Sequence, residues 1–321
     1  MKPKPTVTIG IPAYNEEANI AYLLRSLLAQ KRDTFELKEI VVISDGSTDQ
    51  TDTEVSSVRS SKIKLIRQTK RVGLNALQNW LVKHTSSDIL AIVNADVIIK
   101  GEKFLDNLIA PLLSDRKIGL TGSRFLSLRM RQSIGRILGN SMEMKRYIYT
   151  HLLRPNNVYL CHGSARAFSR GLYKQISWPG DVPEDAYSYF FALQCGFKFS
   201  CSPKAEVYLQ PSTNLRDHIR QSTRFVRGVS KLKNYFDPKY IDRAYEITPK
   251  QMLKATFIYT LKKPLSIPVY LGLMLFVRFI NRFNDSDQSK FNISESSKKW
   301  AVDTLLYNGI TYENNVFERK I

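Results

Sequence analysis

What most constrains this 321-residue chain is the alternation of strand-like and helix-like signals through its first 125 residues. Apolar β-rich runs occupy Thr6–Ala13, Glu39–Ser44, Ile63–Arg67, Ile89–Asn94 and Ile118–Thr121. Helical stretches fall between them at Glu16–Gln30, Thr51–Val58, Gly73–Lys83 and Lys103–Leu113. Val41-Val42-Ile43 is apolar at consecutive positions, which suits a strand covered on both faces. This alternation predicts an α/β fold, a mostly parallel Rossmann-like sheet with helices on both faces. Ligands of such sheets sit beyond the carboxyl ends of the strands.

After Phe125 the pattern changes. Phe125–Arg154 holds six Arg/Lys against the single Glu143, and Ile134, Ile137, Leu138 and Met142 recur at helical spacing. That is a basic amphipathic helix, suited to a membrane surface or to packing on its own domain. Strands are expected near Val158–Cys161, Arg166–Ser169, Phe197–Cys201 and Glu206–Leu209, with helices at Asp185–Gln194 and from Leu215 to about Tyr235. Residues 251–283 are the most apolar stretch, and Leu265–Val277 has no charge. A spanning helix needs about 20 apolar residues, so this segment is expected to face a membrane without crossing it. Pro264 and Pro268 argue against one uninterrupted helix. Around 284–299 the tail reads as a loop before a short amphipathic end. The expected organisation is a domain over 1–235, with halves 1–125 and 126–235, and a helical, partly apolar, membrane-associated region over 236–321.

Charge adds a constraint on partners. The chain carries 48 Lys+Arg and 29 Asp+Glu, a formal charge of +19; residues 1–100 hold 14 and 11 of these, the remainder 34 and 18. A basic second half points to a polyanionic neighbour, whether nucleic acid, an anionic membrane face or a phosphorylated substrate. Zinc-finger spacing, an RNP-like aromatic motif and a basic zipper are all missing, so no nucleic acid is expected. Cys161, Cys195 and Cys201 are too few and too irregularly spaced for a disulfide framework or a four-ligand zinc site, which favours a reducing compartment. Met1-Lys2-Pro3-Lys4-Pro5 runs into a strand without an apolar signal core, so export is not expected.

Polar residues cluster where strands end: Pro12-Ala13-Tyr14-Asn15-Glu16-Glu17, Ser44-Asp45-Gly46-Ser47-Thr48-Asp49, and Asn94-Ala95-Asp96. Parallel strands place these three tips around one cleft. An Asp followed by Gly at a tip suits a hydrogen bond to ribose or base with close backbone approach, although Asp45 is equally suited to a turn or helix cap. Neither G-x-G-x-x-G nor a Walker A lysine loop is present, so dinucleotide redox chemistry and P-loop phosphoryl transfer find no support.

These motifs, with Thr8-Ile9-Gly10-Ile11 before the first and Val42-Ile43 before the second, strongly resemble the nucleotide-sugar half of family 2 glycosyltransferases of GT-A fold. The likeness continues in Pro183-Glu184-Asp185 and Gln221-Ser222-Thr223-Arg224-Phe225, where Phe225 stands in place of the usual Trp. The resemblance implies a UDP- or GDP-sugar donor contacted by Pro12, Ala13, Tyr14, Glu16, Asp45, Asn94 and Asp96, with a basic contact at Lys70 or Arg71. Asp96 would bind Mg²⁺ or Mn²⁺ against the diphosphate, whereas Asn94 replaces the first Asp of the D-x-D pattern. Asp185 matches the base that deprotonates an acceptor hydroxyl, with Glu184 as a supporting acceptor contact. Cys161-His162-Gly163-Ser164-Ala165 resembles the loop lining the acceptor side, with His162 either touching acceptor or satisfied within its own loop. Gln221, Arg224 and Phe225 share a helical face and would meet the diphosphate and acceptor.

The implied activity is inverting, metal-dependent transfer of a sugar to a hydroxyl of a glycan or lipid-linked acceptor. Its expected place is the cytoplasm, at the inner face of the cytoplasmic membrane, on an anionic lipid surface. The alternatives are a polyprenyl-phosphate sugar transferase and, in another class, a non-catalytic basic protein binding membrane or nucleic acid.

Overall fold

A computed structural model of the chain describes residues 3–180, 182–212, 214–283, 308, 310–313 and 316–319. The alternation at the start becomes β1 (Thr6–Ala13), α1 (Ile20–Leu28), β2 (Glu36–Ser44), α2 (Thr51–Ser57), β3 (Ile63–Arg67), α3 (Leu74–His84) and β4 (Ile89–Val93). Next come β5 (Ile98–Ile99), α4 (Phe104–Ser114) and β6 (Ile118–Ser127). β1 to β4 pair in parallel in the order β3-β2-β1-β4. Every residue of β4 is buried, as are Val41, Val42 and Ile43 of β2, the burial that consecutive apolar positions predict. α1 is shorter than its apolar pattern. Asn15 takes a left-handed φ of 56° and the Glu16 N–H donates to Thr51 Oγ1 at 2.7 Å, so the chain turns before the helix begins.

The rest of the sheet is antiparallel where its pairing is defined. β7 (Ala165–Ser169) runs antiparallel to both β4 and β6, and β5 runs antiparallel to β8 (Lys198–Leu209), giving eight strands in the order β3-β2-β1-β4-β7-β6-β8-β5. Two local expectations fail here. Val158–Cys161 is no strand: Val158–Leu160 forms a 3₁₀ turn closed by Cys161 N–H to Val158 O at 3.1 Å. The two strands expected at 197–201 and 206–209 are one. Pro203 lies exposed within β8, away from Val207 and Tyr208 where the short β5 pairs, so its missing N–H breaks no β5 ladder bond.

Further along lie α5 (Ser133–Tyr147), α6 (Arg170–Tyr173), α7 (Glu184–Gln194), α8 (Leu215–Leu232), α9 (Pro238–Ala244), α10 (Pro249–Lys262) and α11 (Ser266–Phe283). α5 is the basic amphipathic helix, continued by a π-helical turn over Ile148–Leu152. Its apolar side is covered by the chain's own residues: Leu138, Met144 and Ile148 pack with Ala255, Tyr259, Ile267 and Tyr270, and Ile134 and Ile137 join them. The apolar stretch 251–283 is divided at Lys263-Pro264-Leu265, while Pro268 fits the first turn of α11. Among the described residues, no helix is long and apolar enough to cross a membrane. The expected loop at 284–299 lies outside the described residues; beyond it β9 (Ile310–Glu313) and β10 (Val316–Arg319) form an antiparallel pair that the sequence reading did not foresee.

By contacts the chain groups into two units. Of the described residues, one unit comprises those within 1–126, 158–208 and 310–321, and the other those within 127–157 and 209–309. The limits differ from a single boundary near residue 235, because the chain leaves the sheet after β6, returns for β7, and leaves again after β8.

Candidate active site

The tips of β1 and β2 are tied together. Asp45 N–H donates to Ala13 O at 2.8 Å, and Asn15 Oδ1 accepts from Thr48 N–H at 2.8 Å. Asp45 is buried, and its oxygens accept from Val72 N–H at 2.7 Å and Gly73 N–H at 3.0 Å. Arg71 Nε lies 3.9 Å from the same carboxylate, and the Arg71 guanidinium covers the Tyr14 ring at 4.1 Å from its centroid. Asp45 thus anchors the 70–73 loop, and its remaining lone pairs stay available for a further donor. Gly46 has φ +66°, and a Cβ there would come within 2.9 Å of Arg71 N and Lys70 C, so the close approach foreseen at this glycine is made by the chain itself. Gly46→Ala is expected to lower stability by about 1–3 kcal/mol through left-handed strain and this clash, read as a lower thermal midpoint.

The tip of β4 meets the start of β7. Their antiparallel register sets Val93 opposite Ala165, so Asn94 N–H donates to Ser164 O at 2.9 Å. The Asn94-Ala95-Asp96 turn is thereby held against the His162-Gly163-Ser164 loop. α7 begins on the other side of that loop. A Cβ on Gly163 would lie 2.8 Å from Glu184 Oε1, 3.7 Å from Asp185 Oδ2 and 3.9 Å from Asn94 Nδ2. Asn94, Glu184 and Asp185 therefore converge within 4 Å of one point, and any side chain at 163 would fill it.

Several groups hold the first turn of α7 in place. Arg166, fully buried, donates from Nη1 to Glu184 O at 2.9 Å and Ser188 Oγ at 2.8 Å, and its Nη2 lies 3.8 Å from Glu184 Oε1. Trp178 Nε1 donates to Glu184 O at 3.0 Å. From α3, Asn75 Nδ2 donates to Pro179 O and Val182 O, and Asn79 Nδ2 to Trp178 O, which pins the approach to α7. Cys161 Sγ reaches Asp185 O at 3.3 Å. Arg166 was missed in the sequence. Its signal was a charged residue between Ala165 and Ala167 in a strand, a position that burial permits only with partners.

Burial sets the protonation of this corner. It pushes the Cys161 thiol far up, which leaves that sulfur a poor nucleophile. Burial pushes His162 down, with Asp185 opposing and Arg166 adding to the shift; its Nδ1 lies 2.6 Å from Ser164 Oγ, which engages that nitrogen within the loop. Burial likewise raises the Asp96 carboxyl, and its backbone hydrogen bond offsets only part of this. Among the described residues no Lys or Arg pairs with Asp96, and no three His, Cys, Asp or Glu side chains cluster as a complete metal cage. A half-buried carboxylate with no Lys or Arg paired to it fits a hard divalent cation whose other ligands are phosphate oxygens and water, the usual arrangement for Mg²⁺.

Gln221, Arg224 and Phe225 belong to the second unit. They lie on α8, where Ser212 Oγ donates to Gln221 Oε1 at 3.2 Å and the half-exposed Phe225 ring meets Tyr245 edge-on at 5.8 Å. Pro12 and Ala13 are buried in the last turn of β1, while Tyr14 and Glu16 are half-buried beside the tip, Glu16 Oε2 accepting from Asn19 at 3.0 Å.

The sequence model of the family described as Glycosyl transferase family 2 matches residues 8–177. A dolichyl-phosphate beta-glucosyltransferase of Trichomonas vaginalis is 34% identical over 157 residues, 44% of this chain and 48% of that protein. A 4,4'-diaponeurosporenoate glycosyltransferase of Staphylococcus aureus is 31% identical over 105 residues, 32% of this chain and 27% of that protein. The chain thus spans half or less of the length of these relatives. Among solved structures, a Pyrobaculum calidifontis mannosyltransferase in complex with GDP-Man and Mn²⁺ superposes with TM-score 0.60 at 20% identity, covering 89% of each chain. A glucosyl-3-phosphoglycerate synthase of Mycobacterium tuberculosis with Mn²⁺, UDP-glucose and phosphoglyceric acid gives 0.50 at 18% identity, covering 71% of this chain and 78% of that one. Both share the architecture described above.

Proposed function

The chain belongs to glycosyl transferase family 2, and from that premise we propose that it moves a sugar from a UDP- or GDP-sugar to a hydroxyl of a glycan or lipid-linked acceptor, with inversion. The observation that carries this reading is the convergence of Glu184 and Asp185 on Gly163 with Asn94, whose turn also bears Asp96. Asp45, Tyr14 and Arg71 form the nucleoside end, near the joined tips of β1 and β2. Asp96 would hold Mg²⁺ or Mn²⁺, which when bound supplies positive charge against the leaving diphosphate.

Asp185 takes the proton of the acceptor hydroxyl. As that oxygen bonds to the anomeric carbon, the bond from carbon to diphosphate oxygen breaks and the nucleoside diphosphate departs. Glu184 accepts a hydrogen bond from the acceptor while Arg166 and Trp178 keep its helix turn fixed. Asn94 adds no charge at the first D-x-D position, so Asp96 is the protein's main anchor for the cation. Support for Gln221, Arg224 and Phe225 is the sequence resemblance alone. The proposed place of action is the inner face of the cytoplasmic membrane, supported by three free cysteines and by the acid-free stretch Pro249–Phe283.

A thermal-shift panel tests the donor. UDP-glucose or GDP-mannose with Mn²⁺ is expected to raise the melting temperature, and about 2.7 kcal/mol of stabilisation corresponds to ligand at 100 times its Kd. Asp96→Ala should remove the metal-dependent part of the shift. A panel of UDP- and GDP-sugars that leaves the midpoint unmoved with both Mg²⁺ and Mn²⁺ overturns the reading.

A second reading replaces the hydroxyl with a polyprenyl phosphate, and the dolichyl-phosphate relative favours it. A phosphate oxygen is already ionised and needs no base. Full activity of Asp185→Asn with a polyprenyl phosphate would select this second acceptor class.

A further inference from the structure

Among the described residues, the second unit carries an exposed apolar face. On α10, Leu253, Phe257 and Leu261 recur every four residues and are 71%, 63% and 71% exposed. Beside them Leu265 is 83% exposed in the α10–α11 link, and Val269, Phe276 and Phe279 continue an exposed row along α11. The opposite sides of both helices are used, since Ala255, Tyr259, Ile267 and Tyr270 pack with α5. An exposed row of large apolar side chains on this scale marks an interaction surface.

Charge narrows the partner. Pro249–Phe283 contains six Lys/Arg and no Asp or Glu. At the link between the helices a cavity of about 280 Å³ opens, lined by Arg129, Arg136 and Lys263 together with Asn140, Ser127 and the carboxylate of Glu143. The three cations are exposed, Arg136 giving one weak contact to Ser133 Oγ at 3.3 Å. Lys263 follows Leu261 and precedes Leu265, so the cationic cavity and the apolar row meet at one place.

We propose that this α10–α11 face is a docking site for an anionic phospholipid bilayer, with a headgroup phosphate in the Arg129–Arg136–Lys263 cavity and the apolar row in the acyl boundary. A bilayer offers both halves at once: negative phosphates at the level of the cations and hydrocarbon beneath them. A soluble anion would leave Leu253, Phe257, Leu261 and Leu265 in water. No described helix is long and apolar enough to cross a bilayer, and in the proposed mode α10 and α11 lie in the plane of the interface. It deepens the membrane placement proposed above.

Flotation of the full chain with vesicles tests it. The protein should float with phosphatidylcholine–phosphatidylglycerol vesicles, weakly with phosphatidylcholine alone, and less as salt rises. Leu253→Ser/Phe257→Ser/Leu261→Ser should lose flotation with both. Arg129→Gln/Arg136→Gln/Lys263→Gln should weaken binding to the anionic vesicles at least tenfold, whereas Lys64→Gln/Lys83→Gln/Lys117→Gln, an equal charge change on exposed lysines of the first unit, should change it little. Circular dichroism and the nucleotide-sugar thermal shift verify that each variant is folded.

Failure of the wild-type chain to float, whether because residues 284–307 or a second copy occupy the face, overturns the proposal. Equal losses in the two charge variants overturn the headgroup cavity. Flotation needs no sugar transfer, so its failure leaves the transferase reading intact, and failed donor binding leaves the docking result intact.

Discussion

Asp185→Asn should reduce sugar transfer to a hydroxyl acceptor by about 10²–10⁴-fold in kcat while leaving nucleotide-sugar affinity unchanged. Asparagine has nearly the shape of aspartate. It can also accept from Ala186 N–H, as Asp185 Oδ1 does at 2.7 Å, so the first turn of α7 should persist. What it cannot do is take a proton from an alcohol. A turnover assay with a saturating donor, set beside a donor titration followed by thermal shift, separates the two effects. Loss of donor binding in step with turnover would mean that the residue shapes the pocket rather than acting as a base. Undiminished turnover with a hydroxyl acceptor would remove Asp185 from the mechanism.

The second large effect is expected at Arg166. Its guanidinium is fully buried and meets Glu184, Ser188 and Gln78, whose Oε1 lies 3.4 Å from Nη2. Arg166→Met keeps much of the volume but leaves the Glu184 carbonyl, the Ser188 hydroxyl and the Glu184 carboxylate short of a donor. Breaking a buried pair from one side costs about 3–5 kcal/mol, far more than the pair adds relative to an apolar replacement. Denaturant unfolding of wild type and variant reads this directly. Arg166→Lys retains charge without the planar fork, so it should recover part of the stability but not the fixed geometry at Glu184. A loss below about 1 kcal/mol for the methionine variant would place the hold on α7 in Trp178 and Asn79 instead.

The parallel half of the sheet was legible because its strands are apolar at consecutive residues, a pattern that few other structures satisfy. β1 and β3 match the sequence expectation residue for residue, and β2 differs only by starting at Glu36 rather than Glu39. The strand tips were legible for the same reason, since the ends of buried strands locate the polar groups between them. Val158–Cys161 misled because an apolar tetrapeptide serves a turn as well as a strand: only Val158 and Cys161 are buried, and packing against α7 decides between the two. The two strands expected near 197–201 and 206–209 are one, because Pro203 lies exposed and away from the residues that pair with the short β5. The π-helical extension of α5 and the partners of Arg166 depend on contacts distant in sequence, which no local pattern encodes. For the site, the clustering of polar residues at a strand tip picked out Asn94, and resemblance to the family's motifs picked out Gly163, Glu184 and Asp185, each separately. Their common point arises from the antiparallel return of β7.

That return couples both sides of the proposed chemistry to the parity of a five-residue segment. Side chains alternate across a strand, so deleting one residue between Ala165 and Ser169 would turn Arg166 out of the interior and slide Gly163 along the β4 terminus. Length changes in the stretch between β7 and α7 carry no such phase penalty. Natural or engineered variation in acceptor choice should therefore accumulate in that stretch, whereas the strand itself tolerates neither a change of length nor loss of the Arg166 guanidinium.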